Sequence, residues 1–182
     1  MNFTTITEDQ FCDILKSENL EIDTLAKALV EKLSQKNLKV AVAESCTGGL
    51  ISKQITDTPG ASAVYDCGVC SYANSIKEKL LGVSAETLKS FGAVSPQTAA
   101  EMAQGVRILA SADIGISTTG IAGPDGGTKE KPVGTIFIAV AKENSTHIFK
   151  ADFTAKNNNR CKNRQLATAL AIYCGLAVFK PF

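Results

Sequence analysis

The chain has 182 residues, of which 45% are hydrophobic and 20% charged, and its formal net charge is +1 at pH 7. This length suits a single domain with a sizeable core, so we expect residues 1–182 to form one domain. The balanced charge and the lack of a long basic run argue against nucleic acid as a partner. No signal-peptide pattern and no run of about 18 apolar residues occurs, so we expect a cytoplasmic protein without a membrane partner.

Six cysteines are spread through apolar surroundings, which is typical of reduced thiols. Cys67 and Cys70 have the spacing of a metal or redox pair, but no second pair follows and the single histidine, His147, is distant in sequence. In a regular strand these two cysteines lie on opposite faces. We therefore expect no metal site and no cofactor.

The N-terminal part of the chain has helical periodicity. Apolar residues from Phe11 to Leu33 recur at the spacing of one buried helix face. This pattern predicts helices through the first part of the chain, with residues 1–19 as a helical extension of the domain. It carries no recognisable chemistry.

The stretch Val40–Ile51 is the feature around which the rest is organised. Val40–Ala43 predicts a buried strand, and a helical pattern starts at Leu50 after a tight turn. In that turn, Gly48 and Gly49 let backbone N–H groups approach a ligand closely. The first turn of the helix also offers unpaired N–H donors, which would stabilise an anion or an oxyanion.

The same turn contains three candidate nucleophiles or donors, Ser45, Cys46 and Thr47, although a cluster that merely caps the helix is the alternative. P-loop, dinucleotide-binding, serine-elbow and zinc-helix motifs are absent. A serine triad would have to use His147, in a predicted edge hairpin. A more plausible base for Ser45 is a lysine held neutral, or a tyrosine. The candidates are Lys53, Lys77, Lys79 and Tyr72.

Helical and strand-like patterns alternate along the remaining chain, which predicts a three-layer α/β/α domain with a mixed β-sheet. A glycine-rich loop, Gly120–Gly127, follows a buried strand, where α/β folds place ligands. Ser95-Pro96 predicts a helix start. The predicted strands are Val64–Tyr72, Ile114–Ser117, Gly134–Ala141 and His147–Phe153, and the predicted helices are Ile76–Leu81, Thr98–Leu109 and Arg160–Phe179.

Five ordered sequence blocks together resemble the CinA C-terminal domain family, whose single-domain members include nicotinamide mononucleotide deamidases. The resemblance covers roughly residues 20–178, and we expect no room for the molybdopterin-binding-like domain that precedes this one in some members. The blocks are Ala43–Gly49, Tyr72-x-x-x-x-Lys77, Gly92-Ala-Val-Ser95, Gly120–Gly127 and Lys131-Pro-Val-Gly-Thr135.

The resemblance implies metal-independent hydrolysis of the carboxamide of nicotinamide mononucleotide, a pyridine nucleotide, in salvage of such nucleotides. It also implies a homo-oligomer. Ser45 matches the family's nucleophile and Lys77 its base, with Tyr72 beside them as a third catalytic residue. The remaining substrate-binding residues that it suggests are Glu44, Thr47, Gly48, Gly49, Thr119, Gly120 and Gly123; Glu44 either orients Lys77 or caps the turn.

The family usually has Phe-x-Gly-Asp-Arg-x-x-x-Arg before its last helix, whereas this chain has Phe153, then an Asn-rich segment, then Arg160 and Arg164. The arginine spacing is kept, so both are candidate ligands of the substrate phosphate. A solvated helix face is the alternative, and Lys156 is a possible substitute. Because the segment is altered, a non-catalytic nucleotide-binding or interaction protein is the rival function, and Cys46 as the nucleophile is the rival mechanism.

Overall fold

The computed structural model describes residues 2–154 and 159–179. The strands are β1 (Thr4–Thr7), β2 (Val40–Glu44), β3 (Tyr65–Cys70), β4 (Ile114–Gly120), β5 (Thr135–Ala141) and β6 (Thr146–Asp152). They form one six-stranded mixed sheet in the order β1-β6-β5-β4-β2-β3. The β2–β3, β2–β4 and β1–β6 pairs are parallel, whereas β5 runs antiparallel to both of its neighbours. The helices are α1 (Glu8–Ser17), α2 (Leu25–Lys36), α3 (Leu50–Thr56), α4 (Asn74–Leu81), α5 (Ala85–Phe91), α6 (Pro96–Leu109) and α7 (Arg160–Ala177).

Helices cover both faces of the sheet because alternate residues of its central strands are apolar on both sides. On β2, Val40 and Val42 belong to the core under α1, α2, α3 and α7, while Ala41 and Ala43 belong to the core under α4 and α6. The small side chains on the second face let α6 approach the sheet closely. The predicted three-layer α/β/α architecture with a mixed sheet is thus confirmed.

The N-terminal prediction was wrong in one respect. Thr4–Thr7 form a strand, β1, that pairs in parallel with β6, and only then does α1 begin. Three of these four residues are threonine and the fourth is isoleucine, so all are β-branched and favour an extended backbone. The short strand was masked by the strong helical periodicity that follows it.

The hairpin of β5 and β6 is antiparallel, as predicted. It does not form the edge of the sheet, however, since β1 covers β6. His147 therefore lies on an inner strand rather than on an edge hairpin. The predicted start of α6 is confirmed: Pro96 is its first residue, and the Ser95 hydroxyl accepts a hydrogen bond from the Thr98 N–H.

Cys67 and Cys70 differ in burial along the alternating strand β3, which agrees with their expected placement on opposite faces. Across residues 2–154 and 159–179, no group of three or more His, Cys, Asp or Glu side chains is placed to share a metal ion. None of the helices in these ranges is both long enough and apolar enough to cross a membrane.

Candidate active site

The site forms where three parallel strands end. β3, β2 and β4 are neighbours, so their carboxyl ends lie on one edge of the sheet. Ser45 directly follows β2, and its N–H donates to the Thr118 carbonyl on β4 at 3.0 Å. On the other side, the Ser71 N–H after β3 donates to the Glu44 carbonyl at 2.8 Å. These bonds fix the backbone on both sides of the Ser45 side chain.

Lys77 reaches this edge from the first turns of α4. Its side chain is only 1% exposed, and its Nζ atom lies 3.1 Å from the Ser45 Oγ atom. Nζ also donates to the carbonyl oxygens of Ser71 at 2.6 Å and Tyr72 at 3.3 Å. A neutral amine has two N–H groups and one lone pair; if the carbonyls take both N–H groups, the lone pair faces the Ser45 hydroxyl. The two carbonyls thus orient the lone pair of Lys77 toward the Ser45 hydroxyl, as a general base requires.

Burial also favours the neutral form of this amine. Desolvation lowers the pKa of Lys77 below the ordinary lysine value. The other two candidate lysines lack this environment: Lys53 is exposed and pairs with Asp57, and Lys79 is exposed on α4. Lys77 is therefore the one candidate of the three lysines whose contacts and burial suit a base.

Glu44 caps a helix, which is one of the two roles considered for it, and substrate binding by Glu44 stays a prediction. Its fully buried carboxylate accepts hydrogen bonds from the N–H groups of Gly49, Ile51 and Ser52 and from the Ser52 hydroxyl, at 2.7–3.1 Å. These N–H groups belong to the first turn of α3, where a carboxylate is most favourable. Ser45 is consequently not needed as the cap of α3.

The same bonds change the predicted oxyanion site. Because the Gly49 N–H donates to Glu44, it is not available to a ligand. Neither the Thr47 nor the Gly48 N–H group has a hydrogen-bond partner among the described residues. Thr47 is fully buried, backbone included, with its hydroxyl 2.8 Å from that of Thr118, whereas Gly48 is exposed. The Gly48 N–H is therefore the one of the two that a substrate can reach.

The Cys46 side chain points into the core. It is 5% exposed, and burial raises the pKa of its thiol to about 12. At neutral pH such a thiol stays protonated and is a poor nucleophile. The structure therefore favours Ser45 over the rival Cys46 mechanism.

Thr119 bonds to the segment that precedes α6. Its hydroxyl donates to the Ala93 carbonyl at 2.6 Å, and its role in substrate binding stays a prediction. Lys131 donates to the carbonyls of Phe91 and Val94 at 3.0 and 2.7 Å. These hydrogen bonds hold residues 91–94 against Thr119 and Lys131, which flank the glycine-rich loop on either side.

Arg160 connects that loop to Tyr72. Its guanidinium donates to the Gly123 carbonyl at 2.7 Å and to the Tyr72 hydroxyl at 3.3 Å. The Tyr72 side chain is 67% exposed, and within the described part of the chain its hydroxyl contacts neither Ser45 nor Lys77. The Tyr72 backbone carbonyl contacts Lys77, and a catalytic role of the Tyr72 side chain stays a prediction. Gly120 lies at the end of β4. A Cβ there would lie 2.6 Å from the Ile136 side chain on β5, so the glycine lets the two strands pack at this position.

Arg164, one turn further along α7, binds the backbone of the turn that follows Ser45. Its Nε donates to the Cys46 carbonyl at 3.1 Å and one terminal nitrogen donates to the Thr47 carbonyl at 2.7 Å. Neither arginine lies on a merely solvated helix face. Lys156, the possible substitute, lies outside the described residues.

Sequence reasoning missed three supporting residues. Ser71 and Thr118 contribute backbone carbonyls beside Lys77 and Ser45. Asn163 is fully buried on α7, and its side-chain amide donates to the Ala122 carbonyl at 3.1 Å, which holds the glycine-rich loop. Sequence position was the one available indication for two of them. Ser71 directly precedes Tyr72, and Asn163 lies between Arg160 and Arg164 on a helix face that is otherwise apolar.

Comparison with known proteins agrees with this geometry. The model of the CinA C-terminal domain matches residues 22–176. The chain belongs to the CinA C-terminal domain family. A protein named competence-damage inducible protein from Caldicellulosiruptor saccharolyticus is 51% identical over 153 residues, which cover 84% of this chain and 36% of that protein. A CinA-like protein from Amoebophilus asiaticus is 49% identical over 144 residues, covering 79% and 34%. The chain thus spans about a third of the length of these relatives.

Solved structures of the family have the same fold. A competence/damage inducible protein from Agrobacterium tumefaciens superposes with a TM-score of 0.83 at 38% identity, covering 87% of this chain and 96% of that one. A CinA superfamily protein from Escherichia coli gives a TM-score of 0.81 at 31% identity, covering 88% and 91%. The layered architecture built around Ser45 and Lys77 is therefore that of the CinA family.

Proposed function

We propose that this chain hydrolyses the carboxamide of nicotinamide mononucleotide to nicotinate mononucleotide and ammonia, in pyridine nucleotide salvage. The observation that carries the proposal is the buried contact between Lys77 Nζ and Ser45 Oγ at 3.1 Å, at the carboxyl edge of the sheet. The substrate identity rests on the family resemblance and on the arginines beside the site. The chemistry rests on the serine and lysine.

The first half of the reaction acylates the enzyme. Neutral Lys77 takes the proton of the Ser45 hydroxyl as Oγ bonds to the carboxamide carbon. The resulting oxyanion is stabilised by the N–H group of Gly48. When the C–N bond breaks, the Lys77 ammonium returns its proton to the leaving nitrogen, and ammonia departs. The product of this half is a nicotinoyl ester on Ser45.

The second half uses the same groups. Lys77 takes a proton from water as the water oxygen bonds to the ester carbon, and the oxyanion again lies at the Gly48 N–H group. The ester C–O bond then breaks, and Lys77 returns the proton to Ser45 Oγ. Nicotinate mononucleotide leaves, and Ser45 and neutral Lys77 are restored.

The substrate phosphate needs a cationic partner, and Arg160 suits it best. Its guanidinium lies at the mouth of the site between Gly123 and Tyr72, and the residue is exposed. A guanidinium can exchange one of these neutral acceptors for a phosphate oxygen, which forms a shorter and stronger hydrogen bond. Tyr72 would then flank the substrate with its exposed ring.

Ammonia release from nicotinamide mononucleotide tests the proposal. We expect the wild-type chain to release ammonia and Ser45→Ala to release none above background, while Ser75→Ala on the exposed side of α4 stays active. If a folded wild-type chain releases no ammonia, the deamidase proposal is wrong for this substrate. Ammonia release that persists in Ser45→Ala would contradict the serine mechanism.

A non-catalytic nucleotide-binding protein is the second candidate. It is favoured by the arginine contacts, because both guanidinium groups already donate to protein acceptors and the segment before Arg160 differs from the family pattern. Isothermal titration with nicotinamide mononucleotide separates the two candidates. Binding without ammonia release would support this second function over the first.

We also propose, on the family resemblance, that the chain acts as a homo-oligomer. Light scattering on the chain as it elutes from a sizing column gives its mass in solution. A mass of two or more chains is expected, and the mass of one chain across the concentrations used for the activity assay would contradict the proposal.

A further inference from the structure

Arg164 makes an unusual pair of contacts for a phosphate ligand. Its guanidinium donates to two successive carbonyls, those of Cys46 and Thr47, immediately after the nucleophile Ser45. These acceptors lie 118 and 117 positions earlier in the chain, so α7 fixes the turn from a separate element. Two of its three nitrogens are thereby used within the protein.

The two carbonyl contacts of Arg164 also fix the directions of two backbone N–H groups. In a planar trans peptide unit, the C=O and N–H bonds point in opposite directions. The unit that contains the Cys46 carbonyl also contains the Thr47 N–H, and the unit that contains the Thr47 carbonyl contains the Gly48 N–H. When Arg164 holds both carbonyls on its side, it aims both N–H groups away from itself.

The Gly48 N–H group is both unpaired and on an exposed residue. In the described part of the chain neither the Thr47 nor the Gly48 N–H donates to a protein acceptor, whereas the Gly49 N–H is taken by Glu44. Thr47 is fully buried and Gly48 is exposed, so Gly48 offers the donor that can stabilise an oxyanion beside the nucleophile. A charged donor on the carbonyl side also polarises each peptide unit, which makes its N–H a stronger donor.

Gly48 matches this arrangement. Its φ of +60° is in the left-handed region, and a Cβ there would lie 3.2 Å from the terminal nitrogen of Arg164. The glycine therefore allows both the turn and the close approach of the guanidinium. A larger residue at position 48 would strain the backbone and press on Arg164.

We infer that Arg164 is a positioning residue that, by holding the Thr47 carbonyl, orients the Gly48 N–H group toward the oxyanion of the reaction. The inference rests on the proposed serine mechanism. It gives Arg164 a role in stabilising the transition state through the oxyanion donor, and not in binding the substrate phosphate. It replaces the prediction from sequence that both arginines bind phosphate. Arg160 alone keeps that role.

Kinetics of Arg164→Ala on two substrates distinguish the roles. The substrates are nicotinamide mononucleotide and nicotinamide riboside, which lacks the phosphate. We expect kcat to fall about 10- to 100-fold on both, because a misplaced oxyanion donor weakens the transition state for either. Lys162→Ala, which removes a different cation from α7, is the matched control and should leave kcat unchanged. A rise in KM confined to the nucleotide would instead make Arg164 a phosphate ligand and overturn the inference.

Two further measurements separate orientation from loss of structure. Added guanidinium ion should restore part of the Arg164→Ala rate by occupying the vacated space, and Arg164→Lys should lose less than Arg164→Ala because it keeps one charged donor. A purely structural role would show no rescue at unchanged thermal stability. That result would overturn the inference.

The rate at which a fluorophosphonate labels Ser45 tests the same point without the proposed substrate, since the phosphonyl oxygen uses the oxyanion donor. We expect labelling to be slower in Arg164→Ala and unchanged in Lys162→Ala. If the wild-type chain is labelled but releases no ammonia, the substrate proposal fails while the inference is still tested by these rates. If the wild-type chain is not labelled at all, the nucleophile and the inference fail together.

Discussion

The Lys77 amine lies 3.1 Å from the Ser45 hydroxyl oxygen, and the lysine is almost completely buried. Two backbone carbonyls, from Ser71 and Tyr72, take its other hydrogen-bonding directions. A buried lysine with no carboxylate bonded to it is costly in its charged form. Its environment is therefore suited to a base and poorly suited to a structural cation.

Replacing Lys77 tests this role directly. We expect Lys77→Ala to lower kcat about 10²- to 10⁴-fold, the range usually lost with a positioned base. Lys79→Ala, which removes an exposed lysine from the same helix, is the matched control and should keep wild-type activity. Steady-state ammonia release measures both, and near-normal kcat in Lys77→Ala would exclude it as the base.

The pH dependence follows from the direction of the Lys77 pKa shift. Burial lowers this pKa, and the neutral amine is the reactive form, so activity should increase as the pH rises through the lowered value. We expect the acid limb of kcat/KM to have its midpoint below the ordinary lysine pKa of about 10.4. A pH profile with its midpoint at or above that value would be inconsistent with a desolvated base.

The same shift predicts a change in stability. The unfolded chain holds the Lys77 proton more tightly than the folded chain, so this group destabilises the fold most at low pH. Its contribution to the free energy of unfolding should become less unfavourable as the pH rises from the lowered pKa to the ordinary value. Urea unfolding of wild type and Lys77→Met across this range measures it. A difference between the two that does not vary with pH would count against the shift.

Glu44 is expected to matter for stability more than for substrate binding. Glu44→Gln replaces one acceptor oxygen by an NH₂ group that faces backbone donors, and we expect it to lower the free energy of unfolding by about 1–3 kcal/mol. Glu31→Gln is the control, because Glu31 makes only a weak, exposed pair with Lys27. Urea unfolding tests both. If Glu44→Gln keeps full stability but has a raised KM, Glu44 acts in substrate binding rather than in stability.

The Arg160 and Tyr72 contact predicts different effects of their substitutions. Arg160→Ala should raise KM for the nucleotide roughly 10-fold or more, as expected for a lost charged hydrogen bond, but not for nicotinamide riboside. Tyr72→Phe should lower kcat less than about 10-fold, because the hydroxyl contacts Arg160 and not Ser45. Lys162→Ala again serves as the control. A kcat loss in Tyr72→Phe as large as that in Lys77→Ala would support the catalytic role of the Tyr72 side chain.

The layers of the fold could be predicted from local patterns, whereas the Ser45–Lys77 pair came from the family resemblance, since the residues alone left three lysines open. Buried strands, helix starts and the spacing of Tyr72 and Lys77 are visible along the chain. The strand Thr4–Thr7 was missed because its partner, β6, lies far along the chain and short β-branched runs give a weak signal.

The roles of the charged side chains could not be predicted in the same way. Glu44 and Arg164 act on backbone groups, and a sequence does not show which N–H or carbonyl is left unpaired by the fold. Tyr72 was placed correctly beside Lys77, but its backbone carbonyl makes the contact while its ring faces outward. Side-chain direction at these positions depends on how α4 and α7 pack on the sheet.

In the proposed mechanism Ser45 attacks the carboxamide carbon and carries the acyl group. Acid quenching during turnover of nicotinamide mononucleotide, followed by peptide mass spectrometry, detects that acyl group on the protein. We expect a nicotinoyl ester nucleotide on the peptide that contains Ser45, with no such adduct in Ser45→Ala. Ammonia release at the wild-type rate with no adduct on Ser45, or with an adduct on another residue, would contradict it.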